Sequence, residues 1–363
     1  MTEGTRAREQ GMSSSGVVVA MSGGVDSSVA ALLLVREGID VLGVTMSTGY
    51  GSRSRSGSPA GTEDIEAAGA VCGMLGIEHT VVPVGPELER MVIEPSLLAY
   101  REGMTPNPCI ICNRLIKFGV LIEGLSGRGR ELTATGHYAR ISRRAGRAAL
   151  AAARDREKDQ SYFLYSVPRE RLEKVLFPLG GLTKGEVVGL AEEAGLPVSG
   201  GRESQDACFL SGSWDEFYRE RGVEDRSGDI LSVEGEVVGT HRGVFRYTVG
   251  QRRGLGISAP EPMYVLSIDN RRNVLVVGTE DLLYSRSLVA EPSGFLPGDE
   301  EGEAEAKIRY NHDPAPCRYR TTGAELIVDF EEPQRAITPG QSVVLYEDGV
   351  VLGGGVILKT GPE

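Results

Sequence analysis

Three cysteines have the residue type and spacing that most directly suggest chemistry in this sequence. Cys109 and Cys112 have two residues between them and follow the rigid segment Thr105-Pro-Asn-Pro, and Cys208 lies in the polar stretch Arg-Glu-Ser-Gln-Asp-Ala-Cys-Phe-Leu. At the start of a helix the backbone dipoles favour a thiolate over a thiol. The polar neighbours of Cys208 argue against a buried structural cysteine. The pattern therefore predicts thiolate chemistry.

A zinc clip is the alternative interpretation of the Cys-x-x-Cys pair. A structural zinc ion needs four protein ligands. Only three thiols lie near a motif, and none of the four histidines of the chain is an evident fourth ligand. The residues therefore disfavour zinc.

A glycine turn rich in hydroxyl groups, Ser22-Gly-Gly-Val-Asp-Ser-Ser28, is the second candidate site. Backbone N–H groups at a helix N-terminus attract anions, and glycine lets a phosphate approach the backbone closely. Ser22 and Ser27 add hydroxyl donors, whereas Asp26 would repel a phosphate and is better suited to hold Mg²⁺. No Gly-Lys-Ser/Thr follows, so the turn is not a Walker A loop. A turn that merely reverses the chain is the alternative, which the predicted strand before it and helix after it disfavour.

The elements around this turn predict a doubly wound α/β domain. Gly16–Met21 is a continuous apolar run, typical of a buried parallel strand, and helical spacing follows over Val25–Glu37. Further strands are predicted at Asp40–Met46, Glu78–Val84 and Glu131–Thr135, with helices at Thr62 to about Leu75, at about Pro86–Tyr100 and from about Ile110. Alternating strands and helices favour a parallel sheet covered by helices.

The second half of the chain changes character. Helical patterning extends from about Gln160 to Arg221, most clearly at Thr183–Ala194, and short strands with glycine and proline turns follow Gly228. The predicted strands are Gly243–Gly250, Met263–Ile268, Asn273–Gly278, Glu305–Tyr310, Glu325–Asp329, Gln341–Leu345 and Val350–Leu358. Regular short strands indicate one or two small β-barrels.

These patterns predict a tail and four further parts. They are a disordered tail at 1–15, an α/β domain at 16–159, a helical part at 160–227 that completes the catalytic region, a small central domain at 228–290 and a C-terminal β-barrel at 291–363.

Composition and charge narrow the class of protein. The net charge of −12 argues against general coating of nucleic acid, so any RNA contact must use local basic patches. No stretch is apolar enough for a membrane span, no signal peptide is evident, and the five cysteines are an odd number, which together predict a cytoplasmic protein without membrane contact. Two basic clusters are candidates for phosphate contact or are simply solvated: Arg128, Arg130, Arg140, Arg143, Arg144, Arg147, Arg154, Arg156 and Lys158, and then Arg242, Arg246, Arg252 and Arg253.

The glycine turn resembles the SGG-x-D-S pyrophosphate loop of enzymes that split ATP into AMP and pyrophosphate. Amide-forming ligases and sulfur transferases share this loop, so the loop alone leaves the substrate open. Together with further motifs, the sequence resembles the tRNA-specific 2-thiouridylase family. The motifs, in order, are TPNPC-x-x-CN-x-x-IKF from Thr105, ATGHYAR at Ala134–Arg140, KDQSYFLY at Lys158–Tyr165, SQDACF around Cys208, TVGQRRGLG at Thr248–Gly256, IRYNH at Ile308–His312 and GQSVVLY at Gly340–Tyr346.

This resemblance implies a fold and an activity. The fold is a pyrophosphate-loop ATPase domain, a small central domain and a C-terminal β-barrel. The activity is ATP-dependent 2-thiolation of the wobble uridine in tRNAs for Lys, Glu and Gln, with ATP and Mg²⁺ as cofactors and with tRNA and a sulfur-donating protein, a cysteine desulfurase or a relay, as partners.

The resemblance also implies roles for individual residues. Cys112 matches the nucleophile, and Cys208 matches the carrier of a persulfide. The positions that match nucleotide contacts are Ala20, Met21, Ser22, Gly23, Gly24, Val25, Asp26, Ser27, Met46 and Gly136. The positions that match tRNA contacts are Asn107, Pro108, Cys109, His137, Lys158, Asp159, Gln160, Arg309, Tyr310 and Gln341.

Cys109 departs from the pattern of some relatives, which carry at this position an aspartate that assists the nucleophile. With Cys112 and Cys208 it could instead hold three irons of a 4Fe–4S cluster, whose fourth iron would bind hydrosulfide. The persulfide route and the cluster route both remain open.

Two other functions are alternatives to sulfur transfer. An adenylating, amide-forming ligase would share the loop but give the three cysteines no task. A non-catalytic tRNA-binding scaffold would give the intact glycine turn Ser22–Ser28 no task.

Overall fold

The structure is a computed structural model, and it describes residues 16–50, 61–124, 130–197, 209–210, 214–223, 225–294 and 301–361. The tail predicted at 1–15 and Cys208 lie outside these ranges. The chain divides into two compact units. The first comprises Met1–Met91, Cys109–Gly212 and Gly349–Val351, and the second comprises Val92–Pro108, Ser213–Asp348 and Leu352–Glu363.

The first unit is built on a five-stranded parallel sheet of strand order β3-β2-β1-β4-β7. These strands are β1 (Gly16–Ala20), β2 (Val41–Ser47), β3 (Glu78–Pro83), β4 (Arg130–Thr135) and β7 (Val175–Leu176). Val17, Val18 and Val19 are at most 1% exposed, because β1 is an inner strand covered on both faces, as a continuous apolar run predicts.

Helices and one hairpin complete the first unit. The longest helices are Val25–Arg36, Thr62–Leu75 and Lys184–Glu193, and the shorter ones are Gly85–Leu88, Leu121–Gly124, Ser161–Leu164 and Arg169–Leu172. The helix Pro108–Cys112 continues as π-helix over Asn113–Val120. The hairpin joins β5 (Arg140–Arg144) to β6 (Arg147–Ala151).

The strands and helices predicted up to Thr135 are confirmed within a few residues; the helix predicted at about Pro86–Tyr100 is Gly85–Leu88, a π-helical turn at Glu89–Ile93 and then Glu94–Arg101. The two-residue strand β7 was not predicted, because two residues cannot show a pattern. It joins the sheet beside β4, where Thr133 pairs with Val175.

The second unit contains a small four-stranded sheet of order β10-β11-β8-β9. Its strands are β8 (Gly228–Leu231), β9 (Val237–His241), β10 (Tyr264–Asp269) and β11 (Val274–Gly278). The strand predicted at Gly243–Gly250 is wrong. Gly243 has φ of +143°, and a single 3-10 turn, Val244–Arg246, follows it. The alternation there reflects burial of Val244, Tyr247 and other core residues rather than a strand.

The C-terminal strands of the second unit close into a six-stranded barrel. The strands are β12 (Tyr284–Ser293), β13 (Glu301–Lys307), β14 (Ala315–Thr321), β15 (Leu326–Arg335), β16 (Ser342–Glu347) and β17 (Val350–Thr360). Their order is β12-β15-β14-β13-β16-β17, and pairing of β12 with β17 closes the ring. A closed barrel leaves no free strand edge. The predicted fold class is therefore confirmed, although β12 runs across the domain limit predicted at 290/291.

Candidate functional site

The glycine turn Ser22–Ser28 connects β1 to the helix Val25–Arg36, with Gly24 as the N-cap residue. Gly23 has φ of +73°, and a Cβ there would lie 2.8 Å from the Asp64 carbonyl oxygen. The Ser22 backbone N–H donates to the Ser27 hydroxyl, and the Ser27 hydroxyl donates to the Gly24 carbonyl. Sequence and packing thus hold an open turn at a helix N-terminus, the usual geometry of an anion site.

Strand order places this turn at the point where ligands bind in doubly wound sheets. β1 lies between β2 and β4, and the connection that follows β1 runs toward β2, whereas the connection that follows β4 runs the opposite way, toward β7. Ala20 and Met21 lie at the end of β1, and Met46 lies near the end of the neighbouring β2. The predicted nucleotide positions therefore share one edge of the sheet.

Gly136, at the end of β4, packs directly on the turn. A Cβ at Gly136 would lie 2.6 Å from the Ser27 backbone nitrogen and 2.7 Å from the Asp26 carbonyl carbon. Only glycine permits this approach of two backbones. The structure thus brings Gly136 and the turn together, as the sequence predicts.

Asp26 is bonded to two residues that sequence reasoning missed. Lys184 donates from Nζ to both carboxylate oxygens, at 2.7 and 2.8 Å, and the Tyr138 hydroxyl donates to Oδ1 at 2.9 Å. Thr183 caps the helix that begins at Lys184, and its capping box with Glu186 was a readable signal for that helix. No sequence signal links Lys184 to Asp26, which is 158 positions away.

The predicted magnesium ligand Asp26 has a cationic partner in the structure. Both carboxylate oxygens already accept hydrogen bonds from an ammonium group. A carboxylate has about four acceptor positions, so a metal ion on Asp26 would share the carboxylate with the Lys184 ammonium, at a cost in repulsion between the two cations. Asp26 is here the partner of an ammonium, and its role as a magnesium ligand stays a prediction.

Tyr138 also connects the turn to the segment Lys158–Gln160. Its backbone N–H donates to Gln160 Oε1 at 2.9 Å, and the Gln160 N–H donates to the Tyr138 carbonyl at 2.7 Å. Asp159 is buried and accepts from the Ala153 N–H and the Ser161 hydroxyl. Gln160 therefore holds the backbone of Tyr138, and Asp159 holds the backbone of Ala153.

His137 follows Gly136 and packs beside aromatic rings. Its ring centroid lies 6.1 Å from that of Phe118 and 6.2 Å from that of Phe177, and Nδ1 is hydrogen-bonded to the Thr135 hydroxyl at 2.7 Å. Burial lowers the pKa of His137 well below its usual value, and the nearby charge of Lys117 lowers it further. His137 is therefore neutral at physiological pH.

The described cysteines differ in exposure. Cys109 is exposed and Cys112 is buried, on one helix where residues three apart share a face. Cys72 and Cys317 are buried, and burial raises the pKa of their thiols to about 11 and about 12. High thiol pKa values make these two unreactive.

Two of the three proposed cluster ligands, Cys109 and Cys112, are one helical turn apart, a spacing that suits thiolate ligation of a cluster. Within the described ranges, no group of three or more His, Cys, Asp or Glu could hold a metal ion. The predicted third thiol, Cys208, is outside those ranges.

In the second unit, a turn of the barrel holds the segment that leads into Asn107 and Pro108. The Thr105 N–H donates to the Pro339 carbonyl at 2.8 Å, and Gln341 Nε2 donates to the Thr105 carbonyl at 2.8 Å. A Cβ at Gly340 would lie 2.6 Å from the Thr105 nitrogen. Gln341 thus fixes this segment by a bond within the unit.

Arg309 is also bonded within the second unit. Its guanidinium donates to the carbonyls of Val249 and Ala336 and to the Thr338 hydroxyl. The neighbouring Tyr310 is partly exposed, with Lys307 Nζ 5.7 Å from its ring centroid. Arg309 therefore ties the barrel to adjoining turns.

Several arginines of the two basic clusters form ion pairs. Arg130 pairs with Asp40, Arg143 with Glu173, Arg154 with Glu186 and Arg246 with Asp225. The surface around these arginines is therefore less positive than the number of basic residues in the two clusters suggests. None of the helices in the described part is long and apolar enough to cross a membrane.

Comparisons with known proteins match nearly the whole chain. The family model described as "tRNA methyl transferase HUP domain" matches residues 15–212, "tRNA methyl transferase PRC-barrel domain" matches 216–279 and "Aminomethyltransferase beta-barrel domain" matches 285–357.

Curated relatives are similar over almost their full length. "tRNA-specific 2-thiouridylase MnmA 1" of Syntrophus aciditrophicus is 47% identical over 342 residues, which are 94% of this chain and 92% of the relative. "tRNA-specific 2-thiouridylase MnmA" of Pelobacter propionicus is 45% identical, with 94% and 97% covered. The protein of that name from Geobacter metallireducens is 43% identical, with 98% of each chain covered.

Proposed function

The chain belongs to the tRNA-specific 2-thiouridylase family, and from that premise we propose that it replaces the C2 oxygen of a tRNA uridine with sulfur at the expense of ATP. The observation that carries the ATP requirement is the packing of Gly136 on Asp26 and Ser27. This contact supports an anion-binding role for the turn, because it lies at the edge where doubly wound sheets bind ligands.

The first chemical step transfers AMP to the base. The uridine C2 oxygen attacks the α-phosphorus of ATP, the bond to the β-phosphate oxygen breaks, and pyrophosphate leaves. Backbone N–H groups of the turn and the hydroxyls of Ser22 and Ser27 are donors for the phosphate charge. Mg²⁺ would be held by the phosphates of ATP and by Asp26, and it would supply further positive charge for the phosphates.

The second step delivers sulfur. A nucleophilic sulfur attacks C2, the C2–O bond breaks, and AMP leaves with the former C2 oxygen. In the persulfide route the sulfur is the outer atom of a Cys208 persulfide. Cys112 then attacks the inner Cys208 sulfur, which releases thiouridine and leaves a Cys112–Cys208 disulfide for an external thiol to reduce. In the cluster route, Cys109, Cys112 and Cys208 would hold the iron, and the cluster would supply a hydrosulfide.

The substrate is proposed to be the wobble uridine of tRNAs for Lys, Glu and Gln. A uridine inside a stacked anticodon must be flipped out to reach a site at a sheet edge. The proposed tRNA-facing positions are Asn107, Pro108, Cys109, His137, Lys158, Asp159, Gln160, Arg309, Tyr310 and Gln341. Because Asp159, Arg309 and Gln341 also form internal bonds, their contribution includes holding the backbone that faces the RNA. A sulfur-donating protein is the proposed second partner, and the cytoplasm, where tRNA is modified, is the proposed location.

The experiment incubates the protein with an unmodified tRNA transcript, ATP and sulfide or a desulfurase with cysteine. Nucleoside mass spectrometry then measures 2-thiouridine, and a coupled assay measures pyrophosphate. The expected result is thiouridine in equal amount to pyrophosphate, with none in a transcript whose wobble uridine is replaced by cytidine. Pyrophosphate release without thiouridine would favour a ligase, and the absence of both products would favour a scaffold.

A further inference from the structure

Lys184 is held at both ends next to the phosphate-binding turn. Its backbone N–H donates to Asp155 Oδ2 at 2.8 Å, and its Nζ lies 2.7 and 2.8 Å from the two oxygens of Asp26. Nζ also lies 5.9 Å from the centre of the Tyr138 ring. The ammonium is therefore fixed in place before any ligand arrives.

The pair of Lys184 and Asp26 is too exposed to serve mainly as a stabilising ion pair. The side chain of Lys184 is 25% exposed and that of Asp26 is 35% exposed. Ion pairs that reach solvent contribute little to stability. Asp26 also lies in the first turn of a helix, where the helix dipole already favours its charge. Fold stability alone does not explain this fixed ammonium.

Binding of a phosphate chain explains it. Asp26 taken by itself would repel phosphate from the turn, whereas the adjacent ammonium offsets that charge. Lys184 Nζ can form three hydrogen bonds, and Asp26 accepts from it at two oxygens of one carboxylate, so the ammonium can also face a ligand. Charge-assisted hydrogen bonds from lysine to phosphate are among the stronger polar contacts in proteins.

We propose that Lys184 is the residue that supplies the positive charge for the phosphate chain of ATP, and that Asp26 positions it. This inference rests on the proposed use of ATP. As the bond between the α- and β-phosphates breaks, negative charge grows on the departing pyrophosphate, and the fixed ammonium stabilises it. Lys184 is thus a catalytic residue, and Asp26 is a positioning residue.

The test measures binding of ATP and of adenosine to the purified full-length protein by equilibrium dialysis. The variant is Lys184→Met, with the exposed Lys174→Met as the matched control. Loss of the ammonium is expected to weaken ATP binding about tenfold or more, because a charged hydrogen bond is lost. Adenosine, which lacks phosphate, is expected to bind Lys184→Met with the same affinity as it binds the unaltered protein. Lys174→Met is expected to bind ATP and adenosine with unchanged affinity.

A second measurement uses the unaltered protein and so does not depend on the folding of a variant. Limited acetylation, mapped by mass spectrometry, reports how accessible each lysine is. ATP is expected to slow acetylation of Lys184 at least several-fold, whereas adenosine does not, and Lys174 is unaffected by either.

The outcomes separate this inference from the proposed function. Equal loss of ATP and adenosine binding in Lys184→Met, or unchanged ATP binding, would overturn the role of Lys184 even where the unaltered protein forms thiouridine. The role of Lys184 would also be overturned if ATP did not slow its acetylation. ATP binding that depends on Lys184 would support the inference even where no thiouridine forms, an outcome that would contradict only the proposed function.

Discussion

Tyr138 and Gln160 exchange two backbone-directed hydrogen bonds, at 2.9 and 2.7 Å, and the same tyrosine reaches Asp26 through its hydroxyl. One buried residue therefore joins the nucleotide turn to the segment Lys158–Gln160, which is proposed to face tRNA. A change at either end of this connection can alter the position of Asp26.

Removal of the Tyr138 hydroxyl tests this connection. Tyr138→Phe keeps the ring, which is 2% exposed, and removes the hydroxyl that bonds to Asp26. Because that bond ends on a carboxylate, we expect tRNA-dependent pyrophosphate release to fall about tenfold. The exposed Tyr284→Phe is the control and should retain full activity. Full activity of Tyr138→Phe would show that the hydroxyl does not position Asp26.

The contact of Gly136 with the turn predicts a steep effect of one methyl group. In Gly136→Ala the added Cβ would lie 2.6 Å from the Ser27 nitrogen, so the turn must move. We expect ATP binding to be lost, as measured by equilibrium dialysis.

Gly189→Ala is the matched control for Gly136→Ala. Gly189 lies in the helix Lys184–Glu193, and apart from its chain neighbours and the backbone of that helix no atom would lie within 4 Å of an added Cβ. We expect normal ATP binding and a gain of about 0.5–1 kcal/mol in the free energy of unfolding, because alanine favours a helix. ATP binding by Gly136→Ala at the level of Gly189→Ala would contradict the proposed site.

The cysteines differ enough in environment to be told apart by alkylation. At pH 8 we expect iodoacetamide to modify the exposed Cys109. Cys72 and Cys317 should react only after unfolding, because they are buried and their thiol pKa values are raised to about 11 and about 12. Peptide mass spectrometry with and without denaturant measures this. Rapid labelling of Cys317 in the folded protein would contradict its burial in the core of the barrel.

Substitution of Cys109 distinguishes the two routes of sulfur delivery. Cys112→Ser and Cys208→Ser are expected to abolish thiouridine formation in both routes. Cys109→Asp restores the residue of some relatives, but a carboxylate is a poorer iron ligand than a thiolate. We expect anaerobically purified Cys109→Asp to lose iron and activity together. Robust aerobic activity of iron-free Cys109→Asp would instead support the persulfide route.

The sequence predicts this fold well where the pattern is local. The apolar run Val17–Val19 indicates an inner parallel strand, and the glycines after it indicate a turn, because both signals lie within a few residues. The helix at Lys184–Glu193 is equally predictable from the capping box at Thr183.

Long-range relationships are what the sequence does not reveal. The bond between Lys184 and Asp26 depends on how the sheet and helices pack. The bond from Arg309 to the Ala336 carbonyl likewise depends on packing within the second unit. For Val244–Arg246 the alternation of apolar residues was misleading, since burial in a turn gives the same pattern as a strand over so few residues. Contacts between residues far apart in the sequence could therefore be identified only from the structure.

The central claim is that ATP activates the C2 oxygen of the uridine, and the fate of that oxygen tests it most directly. A tRNA whose wobble uridine carries the heavy isotope of oxygen at C2 is incubated with ATP and a sulfur source, and mass spectrometry follows the label. Because the C2–O bond breaks when sulfur attacks, we expect one heavy oxygen in AMP for each thiouridine formed, and none in pyrophosphate. Thiouridine formed together with unlabelled AMP would contradict the account.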